Sequence, residues 1–215
     1  MIVQVLNGET LHVYRVLAYG LIEPRELMAH LREVWQARPD LWEAWSVLIS
    51  QTQDAGELEE AARLAEEASR RFPLLPGAWR DLGQIMRLQG RNEESLRAFR
   101  RTTELNPDWD QAWQDLAQLQ EDLGQAEDAL HTLRTALKRM PRENNLRMLL
   151  AIFLWRAGER QEPWELVESC LRDDPACREP GGSSPPGPPS CTASSLWRIW
   201  RAPSPASTPP RPASG

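Results

Sequence analysis

Residues Pro76–Trp109 read PGAWRDLGQIMRLQGRNEESLRAFRRTTELNPDW, and the fold follows from this stretch. Apolar or small residues recur at helical spacing, first at Trp79, Leu82, Gly83 and Met86, then at Leu96, Phe99 and Thr102. Gly90 separates the two runs and suits a tight turn, because glycine takes positive φ at little steric cost. Pro107 closes the second run, where it stops a helix. The pattern extends in both directions. Gly56, Gly90, Gly124 and Gly158 lie 34 residues apart. Pro39, Pro73, Pro107, Pro141 and Pro175 keep that interval, as do Trp45, Trp79 and Trp113, and Leu48, Leu82, Leu116 and Leu150. Several residue series sharing one period mark a repeat architecture. Two short amphipathic helices cannot each hide an apolar face alone, so stacking of adjacent copies has to bury them.

Trp79, Leu82, Gly83, Gly90, Phe99 and Pro107 fill the pattern of the tetratricopeptide repeat (TPR), which this chain resembles; Met86, Ser95 and Thr102 replace its usual Tyr and two Ala. The resemblance implies an all-α fold, a right-handed α-solenoid of stacked antiparallel helix hairpins. The copies are expected at residues 42–75, 76–109, 110–143 and 144–177. A degenerate copy is expected over residues 1–41, where Leu27, Met28, Leu31, Val34 and Trp35 form an amphipathic stripe behind Pro24, and Leu11, Tyr14 and Leu17 supply a partner helix. Alanines 61, 65, 68, 129 and 136 admit close helix approach, and Cys170 takes the same small-residue place in the last copy.

Composition separates the end of the chain from the rest. Of the 18 prolines, ten fall after residue 177, where Pro, Gly and Ser supply 22 of 38 residues. Such a stretch buries too little apolar area to offset its backbone entropy, so a disordered tail is expected over residues 178–215. Its abrupt change of character and loss of repeat phase also fit translation in a shifted frame. The whole chain carries a net charge of −6, which argues against a nucleic-acid partner. The longest apolar run, Met148 to Trp155, falls far short of the roughly 20 residues of a membrane span. No secretory signal is visible, and a cytoplasmic location is expected.

In the first helix of each copy the core takes positions 4, 7, 8 and 11, leaving positions 2, 5, 9 and 12 on another face. In TPR proteins that face lines a concave groove that receives a peptide or partner. Here it comprises Glu43, Ser46, Ser50 and Gln53, then Gly77, Arg80, Gln84 and Arg87, then Gln111, Gln114, Gln118 and Glu121, and last Asn145, Met148, Ile152 and Trp155. Amides and hydroxyls with two arginines suit an extended backbone or an acidic side chain, with Arg80 and Arg87 as anchors. The co-chaperones of this family that hold acidic chaperone tails place Lys, Asn and Arg at positions 5 and 9. Ser46, Ser50, Gln84, Gln114 and Gln118 stand there instead, and Arg80 is the single cation, so that activity is not expected. The apolar last face invites a cover, either the tail residues Leu196, Trp197, Ile199 and Trp200, a second subunit through self-association, or further repeats.

The sequence offers little catalytic chemistry. His131 reads as exposed, and His12 and His30 lack ligand spacing. Cys170 reads as a buried packing thiol, with Cys177 and Cys191 at the domain edge and in the tail. The pairs Glu59–Glu60, Glu66–Glu67 and Glu93–Glu94 read as solubilising charge. No phosphate loop, nucleophile elbow or metal box occurs, so no cofactor is expected. The expected function is therefore non-enzymatic: a scaffold that binds a partner protein or peptide in the groove. The alternative is a TPR regulatory or targeting fragment of a larger enzyme such as a glycosyltransferase.

Overall fold

A computed structural model describes residues 23–173. The expectations for residues 1–22, His12 among them, and for the tail with Cys177, Cys191, Trp197 and Trp200 lie outside that range. Among the described residues the elements are all helices: α1 (Pro24–Ala37), α2 (Trp42–Asp54), α3 (Leu58–Arg71), α4 (Pro76–Leu88), α5 (Asn92–Leu105), α6 (Asp110–Asp122), α7 (Ala126–Arg139), α8 (Asn144–Arg156) and α9 (Gln161–Asp173). The first helices of the copies thus begin 34 residues apart, at Trp42, Pro76, Asp110 and Asn144. The chain divides into two compact units, the first ending at Leu146 and the second beginning at Arg147.

Each hairpin is closed by the glycine at its turn. Gly56, Gly90, Gly124 and Gly158 have φ of 80°, 73°, 75° and 97°. At the first turn the Gly56 N–H donates to Gln53 O at 2.9 Å and the Glu57 N–H to Thr52 O at 3.1 Å. These are the paired bonds of a Schellman motif, and they satisfy carbonyls that the end of α2 leaves orphaned. Arg91, Gln125 and Glu159 repeat the second bond at the other three turns. The prolines have a second task besides ending helices. The indole N–H groups of Trp45, Trp79 and Trp113 donate to the carbonyls of Pro39, Pro73 and Pro107, each at 2.9 Å. One hydrogen bond therefore ties the start of each copy to the loop before it.

In the first unit each helix packs on its successor from α1 to α7, and α2 also touches α4. The core begins with Leu27, Leu31 and Val34 of α1 and runs through Trp45, Leu48 and Ile49 to Ile85 and Met86. Leu96, Phe99, Leu116 and Leu119 form a further cluster between α5 and α6. Gly83 has a packing reason of its own: a Cβ there would stand 2.6 Å from the Phe99 ring, which is fully buried.

The three equivalent tryptophans are not equally buried. Trp45 is enclosed, with Trp35 edge-on at a centroid distance of 5.1 Å and Phe72 at 6.5 Å. Trp79 and Trp113 are half-buried. The cause lies one copy back, because the 34-residue period places Ser69 and Thr103 where Trp45 has Trp35. A hydroxyl side chain covers far less of an indole than a second indole does.

Two of the three glutamate pairs contribute to structure as well as to solubility. Arg91, at the start of α5, reaches Glu66 of α3 at 3.1 Å and Glu94 at 2.6 Å. That guanidinium holds the Glu94 carboxyl below the usual carboxylate range.

In the second unit Leu150, Phe153 and Leu154 of α8 are buried, as is Cys170 of α9. Arg147 binds Asp173 at 2.6 Å and so clasps the two helices together. Pro163 is accommodated in the first turn of α9, where no intrahelical N–H bond is forfeited.

Candidate functional site

The faces named by position 5, 9 and 12 counting fall into three situations. Between α2 and α4 lies a cleft of about 300 Å³, lined by Ser46, Val47, Ile49, Ser50, Gln53, Arg80, Asp81 and Gln84. It gathers five of the expected residues: Ser46, Ser50 and Gln53 from α2, Arg80 and Gln84 from α4. The side-chain amides of Gln53 and Gln84 make no hydrogen bond among the described residues, and both are partly exposed.

The arginines are already engaged. Arg80 Nε donates to Asp115 Oδ2 at 2.6 Å, and the guanidinium lies 5.5 Å from the Trp109 ring centroid. Gln111 Nε2 donates to the other Asp115 oxygen at 3.0 Å, so both oxygens of this nearly buried carboxylate are held. Arg87 lies 3.9 Å from Asp122. Each arginine meets the acid 35 residues later, on the first helix of the next copy. Ser46 follows the same step, its hydroxyl donating to Asp81 Oδ2 at 2.8 Å. Position 5 of one copy thus binds position 6 of the next. Position counting on a single helix does not reveal that ladder, and Asp81 and Asp115 were absent from the expected site for this reason.

Along α6 the polar side chains satisfy one another. Gln114 donates to Asp110 at 2.9 Å and Gln118 to Asp122 at 2.8 Å. Glu121 is partly exposed on the same helix. Met148, Ile152 and Trp155 belong to the second unit, and all three are partly buried. Trp155 carries a local cover: the Arg160 guanidinium sits 4.0 Å from its ring centroid and donates to the Trp155 carbonyl at 2.9 Å. Cation–π stacking of this kind shields an indole that the sequence alone presents as bare.

Asp81 stands apart electrostatically. Loss of hydration pushes its carboxyl up to about 6, against the opposing pulls of the Ser46 hydroxyl and the Arg80 charge. Among the described residues no cation pairs with it. No group of acidic, His or Cys side chains suited to a metal ion occurs among the described residues, and no helix there is long and apolar enough to cross a membrane.

A family model described as tetratricopeptide repeat matches residues 53–108 and 115–162. No curated protein matches the sequence. Among solved structures the chain is similar to MamA, at a TM-score of 0.61 and 15% identity over 75% of this chain and 95% of that one. It is also similar to TTC0263, described as a thermophilic TPR protein in Thermus thermophilus, at a TM-score of 0.58 and 18% identity over 79% and 92%. A third likeness is to YrrB, described as a TPR protein with an unusual peptide-binding site, at a TM-score of 0.54 and 15% identity over 74% and 82%. At these identities the structural likenesses establish the fold.

Proposed function

We propose a function for this chain from its membership of the tetratricopeptide-repeat family: it is a non-catalytic module that binds a partner protein, receiving an extended segment of it across α2 and α4. This reading takes residues 42–75, 76–109, 110–143 and 144–177 as the repeating copies and residues 1–41 as a degenerate one. The observation that carries it is the cleft of about 300 Å³ with the uncommitted amides of Gln53 and Gln84 at its edge. A primary amide offers both a donor and an acceptor, which matches the repeating N–H and C=O of an extended peptide. The family supports the class of function, and YrrB supports it as a TPR protein described with a peptide-binding site. Arg80, Arg87, Gln114, Gln118 and Glu121 serve this reading as framework for the face, their side chains being turned largely to one another's copies. Met148, Ile152 and Trp155 make a separate, partly covered surface in the second unit.

A random-peptide display library panned against the full chain tests the proposal. Enriched peptides are expected to lose at least about tenfold in affinity when Ser50→Trp fills the cleft, and a similar amount for Gln53→Ala combined with Gln84→Ala. Peptides that bind both variants unchanged would reject this surface as the binding site.

A further inference from the structure

Arg80 and Asp81 are adjacent in sequence, and both line the cleft between α2 and α4, but only one of them has its charge matched. Arg80 is turned along the array to Asp115, at 2.6 Å. Asp81 has one oxygen on the Ser46 hydroxyl at 2.8 Å, and its other oxygen makes no hydrogen bond among the described residues. The rest of the lining is uncharged: Val47 and Ile49 are buried apolar groups, and Ser50, Gln53 and Gln84 are neutral polar ones. The charged residues of α2, Glu43 and Asp54, lie at its two ends and are exposed, and both are acidic. On the other side of α4, Asp115 of α6 is taken up by Arg80 and Gln111.

We propose that the cleft selects a cationic side chain, an arginine or lysine of the bound segment, with the Asp81 carboxylate as its anchor. The inference rests on the reading of the cleft as a peptide site and names the chemistry of its partner. A carboxylate removed from water without a counterion is costly, and an incoming guanidinium or ammonium relieves that cost. Apolar lining beside it accommodates an alkyl stem, which long cationic side chains bury while keeping the charged head on a polar partner. An acidic segment, by contrast, meets Asp81 with no unmatched cation to oppose it.

The same arrangement makes binding depend on pH. A bound cation favours the ionised carboxylate, whereas the Asp81 carboxyl, at about 6 in the free protein, is mostly protonated near pH 5. Affinity for a cationic segment should therefore be about tenfold weaker near pH 5 than near pH 7.5.

The test uses the full chain and a random-peptide display library panned at neutral pH, followed by fluorescence anisotropy of the enriched peptides. The expected result is a shared Arg or Lys, with a loss of about tenfold or more when Asp81→Asn removes the charge and with the pH dependence lost in that variant. Replacing the peptide's arginine by citrulline, which keeps the shape and removes the charge, should cost as much and leaves the protein untouched. Peptides that need an open cleft, shown by sensitivity to Ser50→Trp, but carry no shared cation or ignore Asp81→Asn would overturn the inference and leave the module reading standing. Peptides indifferent to Ser50→Trp, or no enrichment at all, would overturn both.

Discussion

Asp81 is the residue at which stability and binding pull in different directions. Its carboxyl is raised to about 6 from an ordinary 3.8, chiefly by lost hydration. A raised carboxyl favours the protonated folded state, so its contribution is fully present below about pH 4 and is lost as pH rises through about 6. At neutral pH the ionised Asp81 therefore weighs against folding. Asp81→Asn should raise stability at pH 7 by on the order of 1–3 kcal/mol and match the wild type below about pH 4. Thermal melts across that range check this, and equal midpoints at pH 7 would show that the carboxylate is not under strain. A stabilising substitution that abolishes binding is the usual mark of a functional rather than a structural charge.

Helix-on-helix packing explains more of the element-level design than propensity does. None of α1 to α7 has a side-chain N-cap bond, and the first residues of α2 and α4 are Trp42 and Pro76. What fixes the helices is the glycine-closed turn, the indole-to-proline hydrogen bond and close contact such as that of Gly83 on Phe99. Gly83→Ala separates these influences. Alanine is the better helix former by about 1 kcal/mol, so propensity alone calls the change stabilising. The new Cβ would stand 2.6 Å from a fully buried ring that has no room to withdraw. Overpacking should win, for a net loss of about 1–3 kcal/mol in urea unfolding. Adding Phe99→Leu, which thins the ring side of the contact, should recover part of that loss. A Gly83→Ala protein as stable as the wild type would mean that α4 and α5 can slide apart freely.

At the scale of the molecule, what the sequence discloses and what it conceals divide along the repeat. The glycines, prolines and leucines at 34-residue intervals act within one hairpin, so a linear pattern discloses them together with the helical fold they imply. The unequal burial of Trp45, Trp79 and Trp113 depends on the preceding copy, at Trp35, Ser69 and Thr103, and a helical wheel drawn for one copy does not contain it. The site shows the same limit: Ser50, Gln53 and Gln84 were legible as a polar face, while the engagement of Ser46 and Arg80 with position 6 of the next copy was not. Such links matter because a solenoid's copies touch only their neighbours, so the array unfolds as one only if the interfaces between copies are strong. Arg80–Asp115 spans the second and third copies, with side chains 28% and 11% exposed, whereas Arg91–Glu66 spans the first and second at 38% and 41%. Arg80→Ala would strand a nearly buried carboxylate and should cost about 2–3 kcal/mol, with a coupling to Asp115→Ala of about 1–2 kcal/mol. The exposed Arg91–Glu66 pair should show a coupling below about 1 kcal/mol. Urea unfolding of the two mutant cycles decides between them, and the slope of the transition is as informative as its midpoint. If Arg80 couples the copies, its removal should also broaden the transition, since the third copy then opens before the second. Strictly additive single substitutions and an unchanged slope would instead assign cooperativity to the apolar contacts of Phe99, Leu116 and Leu119 alone. Arg80→Met with Asp115→Leu distinguishes charge from filling: a stable, sharply unfolding double variant would show that the pair is replaceable by packing.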